Sequence, residues 1–233
     1  MLAATAAIAL VAAVFGGATL FHGAAIMDIL GVAAPMHGRH GNPEDLDSYV
    51  AKMEDPSRAE WQKPDQVVRA LGLRPGQIVC DIGAGPGYFT FPVARAVAQA
   101  GHVYAVDVEP RILEALRKRL RKTSLRNVTP VLALEDDPLL PAGGCDLILV
   151  VDTYHHFPDG PAYLRRLARS LRPGGRLVNI DFHKRELPVG PPPEHKLTRE
   201  EFLAQAHSAG LALVEEHTFL PYQYFLVLEP LGN

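Results

Sequence analysis

Residues 79–87 read Val-Cys-Asp-Ile-Gly-Ala-Gly-Pro-Gly, an apolar run that ends in a turn carrying Gly83, Gly85 and Gly87. Three glycines in five positions are needed where backbone must turn tightly and approach a ligand closely. A helix-like segment, Tyr88 to Ala100, follows at once. Its first N–H groups have no partner inside the helix and are available to a ligand. A second apolar run, His102 to Asp107, closes on an acidic residue twenty positions after Gly87. A carboxylate there is placed to hold both hydroxyls of a ribose. Together the two runs require a doubly wound α/β domain that binds a nucleoside-bearing cofactor.

The spacing discriminates between cofactors. The dinucleotide fingerprint is G-x-G-x-x-G. Here the third glycine comes one residue early, and Tyr88 stands where it would be. Asp81 sits just before the glycines. S-adenosylmethionine has no pyrophosphate, so a helix N-terminus kept for phosphate is not required. It does carry an ammonium and a sulfonium, which suit a carboxylate at a strand tip.

At these residues the chain resembles the class I S-adenosylmethionine-dependent methyltransferases, whose first motif is D/E-x-G-x-G-x-G. The resemblance covers roughly residues 64–229 and continues in order. Asn127 to Leu134 reads as a third strand followed by Glu135-Asp136-Asp137. Cys145 to Val151 is a continuous apolar run, as in a buried parallel strand. It leads into Asp152-Thr-Tyr-His-His-Phe157, similar to the His-His loop of the family. Leu171-Arg-Pro-Gly-Gly-Arg reads as a helix end, a turn and the start of a fifth strand. The resemblance implies cofactor contacts from Asp81, Gly83, Ala84, Gly85, Gly87 and Tyr88, and from Asp107 and Val108. It implies others from Asp136 with Asp137, where Asp136 best matches the acceptor of the adenine amino group, and from Asp152.

Strand and helix alternate, with strands expected at 77–82, 102–107, 128–134, 146–151 and 176–181, which argues a parallel sheet. Thr198 and Glu201 form a capping box before a helix to Ala209. Leu211–Glu216 and Gln223–Glu229 are joined too closely for anything but an antiparallel pair. The expected fold is α/β: a Rossmann-like, doubly wound, seven-stranded sheet whose last strand is antiparallel, preceded by an N-terminal hydrophobic helix. The expected divisions are a hydrophobic anchor or signal (1–30), a linker with an amphipathic cap helix (31–63), and the methyltransferase domain (64–233).

From Leu2 to Met27 there is no Asp, Glu, Lys or Arg. As a helix this stretch would span roughly 39 Å, enough for a bilayer with tilt. No basic residue precedes it, so an uncleaved anchor is expected rather than a cleaved signal. Arg39, Lys52, Arg58, Lys63 and Arg69 follow, which by the positive-inside rule puts the catalytic domain in the cytoplasm. Export after cleavage is the alternative. A formal net charge of −3 gives no global pull toward nucleic acid. The basic residues at 111–126 are expected to form a solvated face, with anionic lipid as a second reading. Cys80 and Cys145 lie in apolar runs and are expected to pack as small hydrophobes without a disulfide. Their spacing does not suit a metal.

Methyl transfer from a sulfonium needs positioning and desolvation, and a base where the acceptor is a hydroxyl or an enolisable ring. Candidates beyond the strand ends are Asp152, His155, His156 and His183, with a His as base and Asp152 as its orienting carboxylate. The loop after the fourth strand lacks Asn/Asp-Pro-Pro-Tyr, which argues against DNA bases and amide nitrogen. The expectation is methyl transfer to a small, apolar acceptor at oxygen or carbon, as in the ubiquinone/menaquinone-biosynthesis type. Rivals are a non-catalytic sensor or scaffold that binds the cofactor, and an exported, His-rich metal-binding protein.

Overall fold

The computed structural model describes residues 45–232. Three short helices come first: α1 (Leu46–Met53), α2 (Arg58–Gln62) and α3 (Pro64–Ala70). Asp45 caps α1 by accepting the Ser48 N–H at 3.0 Å. Lys63, in the left-handed region at φ 46°, breaks the chain between α2 and α3. The expected hydrophobic segment at 2–27 lies outside the described residues. Among the described residues, no helix is long and apolar enough to cross a membrane.

The remaining elements alternate as β1 (Ile78–Ile82), α4 (Thr90–Ala96), β2 (His102–Asp107), α5 (Pro110–Leu120), β3 (Val128–Leu132), β4 (Cys145–Val151), α6 (Gly160–Ser170), β5 (Leu171–Phe182), α7 (Arg199–Ser208), β6 (Leu211–His217) and β7 (Gln223–Pro230). They build one sheet of seven strands in the order β3-β2-β1-β4-β5-β7-β6. Strands β1 to β5 run parallel, and β7 is antiparallel to both β5 and β6. Alternate residues of the central strands feed two cores. Val79, Val103, Leu147 and Val178 face one core with α3 and α4, while Cys80, Ile82, Ile148 and Leu177 face the other with α6 and α7. Burial on both faces is why these strands read as unbroken apolar runs.

Two sequence expectations are corrected. Cys80 and Cys145 are joined by a disulfide, not separate thiols. Strands β1 and β4 are direct neighbours in the sheet, and the two Cα atoms lie 6.2 Å apart, within disulfide reach. The fifth strand does not wait for the Pro-Gly-Gly turn. It begins at Leu171, paired with Cys145, and the register then jumps so that Leu147 pairs with Arg176. Gly174, at φ 75°, lets the intervening residues bulge out of the ladder.

Candidate active site

The strand order reverses between β1 and β4, and ligands of open α/β sheets bind beyond the carboxyl ends at such a point. The glycine turn leaves β1 there. Gly83 and Ala84 both donate to the carbonyl of Val106, which ties the turn to the end of β2. Gly83 has φ 68°, and a Cβ on it would collide with Thr153 of the loop after β4. Gly85 has φ 56°, and the space where its Cβ would stand is open. The middle of the turn is thus a cradle that backbone alone lines.

Asp107 accepts the N–H of Gly85 at 2.9 Å and that of Glu109 at 3.0 Å. A carboxylate has about four lone-pair sites, so these two bonds leave acceptor capacity for a ribose hydroxyl. Burial raises its pKa, against the pull of those backbone bonds. Val108 is 40% exposed, an apolar surface free for the face of a base. The hydroxyl of Tyr88 is buried without a hydrogen-bond partner. The open cradle, the half-used carboxylate and the orphaned hydroxyl all fit S-adenosylmethionine. Asp81 is more enclosed. It accepts the Thr90 hydroxyl at 2.6 Å, and burial pushes its pKa up to about 6. Asp136 and Asp137 are held together by Arg166 of α6, at 3.8 and 2.8 Å.

The loop after β4 is built around Asp152, a non-glycine residue at φ 52°. Its carboxylate accepts from Gln62 at 3.1 Å and Gln223 at 2.5 Å, and Arg58 lies at 3.5 Å. Burial pushes its pKa up to about 6, reinforced by the charge of Asp181 and opposed by Arg58. Arg58 also lies over the ring of Tyr88 at 4.2 Å. Helix α2 is therefore a strap from the cofactor turn to the β4 loop. Trp61 fixes its end against Phe182 and Tyr222, at centroid distances of 5.8 and 6.3 Å. Glu54, just past α1, pairs with Arg119 at 2.9 Å.

The four catalytic candidates do not meet as one group. His155 is drawn to Asp181 at the end of β5, with Nδ1 2.9 Å from Oδ1 and both side chains almost fully buried. Burial lowers the His155 pKa, but the hydrogen bond and charge of Asp181, with the charge of Asp152, outweigh it and leave the imidazole above its ordinary value. His156 lies beside it with ring centroids 4.2 Å apart. His183 faces Tyr224 at 5.9 Å, and burial lowers its pKa. Asp152 orients no histidine; its partners are the two glutamines and Arg58. Sequence reading missed Asp181, Gln62, Gln223 and Arg58 in these roles. Only the acidic residue at the end of the fifth apolar run was a signal. Among the described residues, no group of His, Cys, Asp and Glu is arranged to hold a metal.

Comparison with known proteins gives the frame. Residues 79–175 match the methyltransferase domain family. The chain is 36% identical over 91 residues to nocamycin O-methyltransferase of Saccharothrix syringae, covering 39% of this chain and 32% of that protein. It is 35% identical over 99 residues to the ubiquinone/menaquinone biosynthesis C-methyltransferase of Vibrio vulnificus, covering 42% and 38%. It thus spans about a third of the length of these curated relatives. A crystal structure of an S-adenosylmethionine-dependent methyltransferase from Aquifex aeolicus superposes with a TM-score of 0.75 at 29% identity, over 80% of this chain and 98% of that one. Glycine turn, ribose carboxylate, sheet order and domain match agree: residues 79–175 are a methyltransferase domain, and the chain has the fold of the class I S-adenosylmethionine-dependent methyltransferases.

Proposed function

We propose that the protein transfers a methyl group from S-adenosylmethionine to a small, apolar acceptor at oxygen or carbon, with His155 as the general base. The carrying observation is the buried pair of His155, in the loop after β4, with Asp181, at the carboxyl end of β5. S-adenosylmethionine, when bound, supplies an electrophilic methyl carbon. Gly85 and Asp107 are the residues that would hold its ribose side. Asp181 fixes the His155 ring through Nδ1, which leaves Nε2 as the atom that takes a proton from the acceptor. The strap of α2 excludes water from the crevice. Both curated relatives named above are methyltransferases, one of oxygen and one of carbon, which supports the reaction and leaves the atom open.

The test is methyl transfer from labelled S-adenosylmethionine into a metabolite extract, followed by His155→Ala on the acceptor found. The variant should lose roughly 10²–10⁴-fold in kcat with the affinity for S-adenosylhomocysteine unchanged. Full turnover by the variant would remove His155 from the chemistry. Because the imidazole pKa is raised above 6.5, the acidic limb of kcat/KM should lie above that pH.

For location, the uncharged stretch at 2–27 is proposed as a membrane anchor. The basic residues after it support a cytoplasmic catalytic domain. The Cys80–Cys145 disulfide supports the exported alternative, since cytosolic thiols are kept reduced. Protease added to spheroplasts separates the two: digestion of the domain means export, and protection means the cytoplasm.

A further inference from the structure

Helix α5 carries charge out of proportion to the chain around it. From Glu109 to Arg126 there are seven Lys or Arg and two Glu, a net of +5 in a chain whose formal net charge is −3. The fold sorts these residues by face. Ile112, Leu113 and Leu116 are buried, and α5 packs on β2 and β3. At about 100° per residue, Arg111 and Lys118 stand on the opposite side of the helix, and Lys122 follows, exposed, in the turn that ends it. Both glutamates are engaged, Glu109 with Arg111 at 3.0 Å and Glu114 with Arg121 at 3.5 Å. Arg119 turns aside to Glu54 and to the carbonyl of Pro86. Arg117, Lys118, Lys122 and Arg126 make no ion pair among the described residues. Asn127 donates to the carbonyls of Ala94 and Ala98, which sets Arg126 beside the end of α4 and its exposed Arg95.

A face of this kind attracts a polyanion across about 10 Å in dilute salt. Anionic headgroups and nucleic acid both qualify by charge, and two observations favour the headgroups. From 109 to 126 there is no aromatic residue on which a base could stack. The chain also enters the described residues on α1, which packs against α5 and is tied to it by the 2.9 Å pair of Glu54 with Arg119. Before α1 the sequence holds the uncharged stretch at 2–27, proposed above as the anchor. Residues 28–44 span no more than about 60 Å even when fully extended. An anchored chain would thus meet the bilayer surface at high effective concentration, through a tether joined to the element next to the basic face.

We infer that the exposed face of α5 docks on an anionic lipid surface, with Arg117, Lys118, Lys122 and Arg126 as the headgroup contacts. Clusters of four to eight basic residues on an amphipathic helix suit such a surface. The inference goes beyond the methyl-transfer reading and does not depend on it.

The test labels lysines of the full chain with an amine-acetylating reagent and reads each site by mass spectrometry. The chain is mixed with nanodiscs of phosphatidylcholine alone, or of phosphatidylcholine with a quarter phosphatidylglycerol. Acetylation of Lys118 and Lys122 should slow at least about fivefold on the anionic discs, the factor one basic residue contributes at such a surface. Lys184, paired with Glu201, should be unchanged. The protection should vanish in about 1 M salt, where the screening length is about 3 Å. The double variant Arg117→Glu, Arg126→Glu should lose it while binding S-adenosylhomocysteine as the wild type does; Arg117→Gln with Arg126→Gln replaces it should the first not fold. The comparison reads lysines and not sedimentation, so it holds whether or not residues 2–27 enter the bilayer. Equal labelling on the two kinds of disc overturns the inference, as does equal protection of Lys184 or undiminished protection in the folded variants. Stronger protection by a DNA or RNA oligonucleotide than by the anionic discs, at equal phosphate concentration, overturns it in favour of nucleic acid.

Discussion

At Asp81 the fold buries a carboxylate 3% exposed, with a single hydroxyl as side-chain partner. Its pKa rises from 3.8 to about 6 because burial penalises the charge, with the Thr90 bond opposing and the Asp107 charge adding. The folded value lies above the unfolded one, so the protonated form favours folding. That contribution is complete below pH 3.8 and is lost as pH rises through about 6. Asp81→Asn should therefore stabilise the ligand-free protein at pH 8, by up to about 3 kcal/mol, and change little at pH 3.5. Denaturant melts at the two pH values measure this; equal effects at both would show that the carboxylate is not strained by burial. Gly85 poses the opposite problem. A Cβ there meets open space but needs φ 56°, so Gly85→Ala should cost about 1 kcal/mol of stability. Its larger effect should be loss of S-adenosylhomocysteine binding in calorimetry, because the methyl group occupies the cradle.

Elements differ in how openly the chain declares them. The capping box of α7 is local and was readable: Thr198 accepts the Glu201 N–H at 3.0 Å, and Glu201 accepts the Thr198 N–H at 2.7 Å. Thr198→Ala should cost about 1 kcal/mol in a denaturant melt. Strands β1, β2 and β4 were readable because both faces are buried, and the antiparallel β6–β7 pair because its link is short. The strap was readable only as a segment. Nothing in its spacing says that Gln62 meets Asp152 or that Gln223 completes the clamp, since those contacts span 90 and 71 residues. Asp181 stayed hidden for the same reason: its role comes from what the sheet order sets beside it, His155, not from its sequence neighbours. The bulge at Pro173–Gly175 read as a plain turn because a turn and a bulge use the same residues.

At the scale of the molecule, the disulfide crosses the middle of the sheet. It joins the strand that feeds the cofactor turn to the strand that feeds the His155 loop, over a separation of 65 residues. A cross-link of that span constrains the unfolded chain by an estimated 3–5 kcal/mol in the entropic model. Reduction under unfolding conditions and refolding with the thiols blocked should lower the denaturation midpoint accordingly, and thiol counting in denaturant should find none in the oxidised protein. A seven-stranded sheet with its last strand antiparallel followed from the resemblance, but which residues align across neighbouring strands is a matter of register, and the cysteine pair was lost there.

The clamp on Asp152 also bears on the tempo of the reaction. The cover over the crevice is a five-residue helix held to Asp152 through Gln62 and Arg58, with the Arg58 guanidinium over the Tyr88 ring and Gln62 its buried residue. The expectation is that departure of the spent donor requires those contacts to part, a barrier separate from the bond-making event, and that this step sets the pace of successive cycles. A rapid-mixing trace should show a first equivalent formed quickly and later ones slowly, and Gln62→Ala should bring the later ones nearer the first.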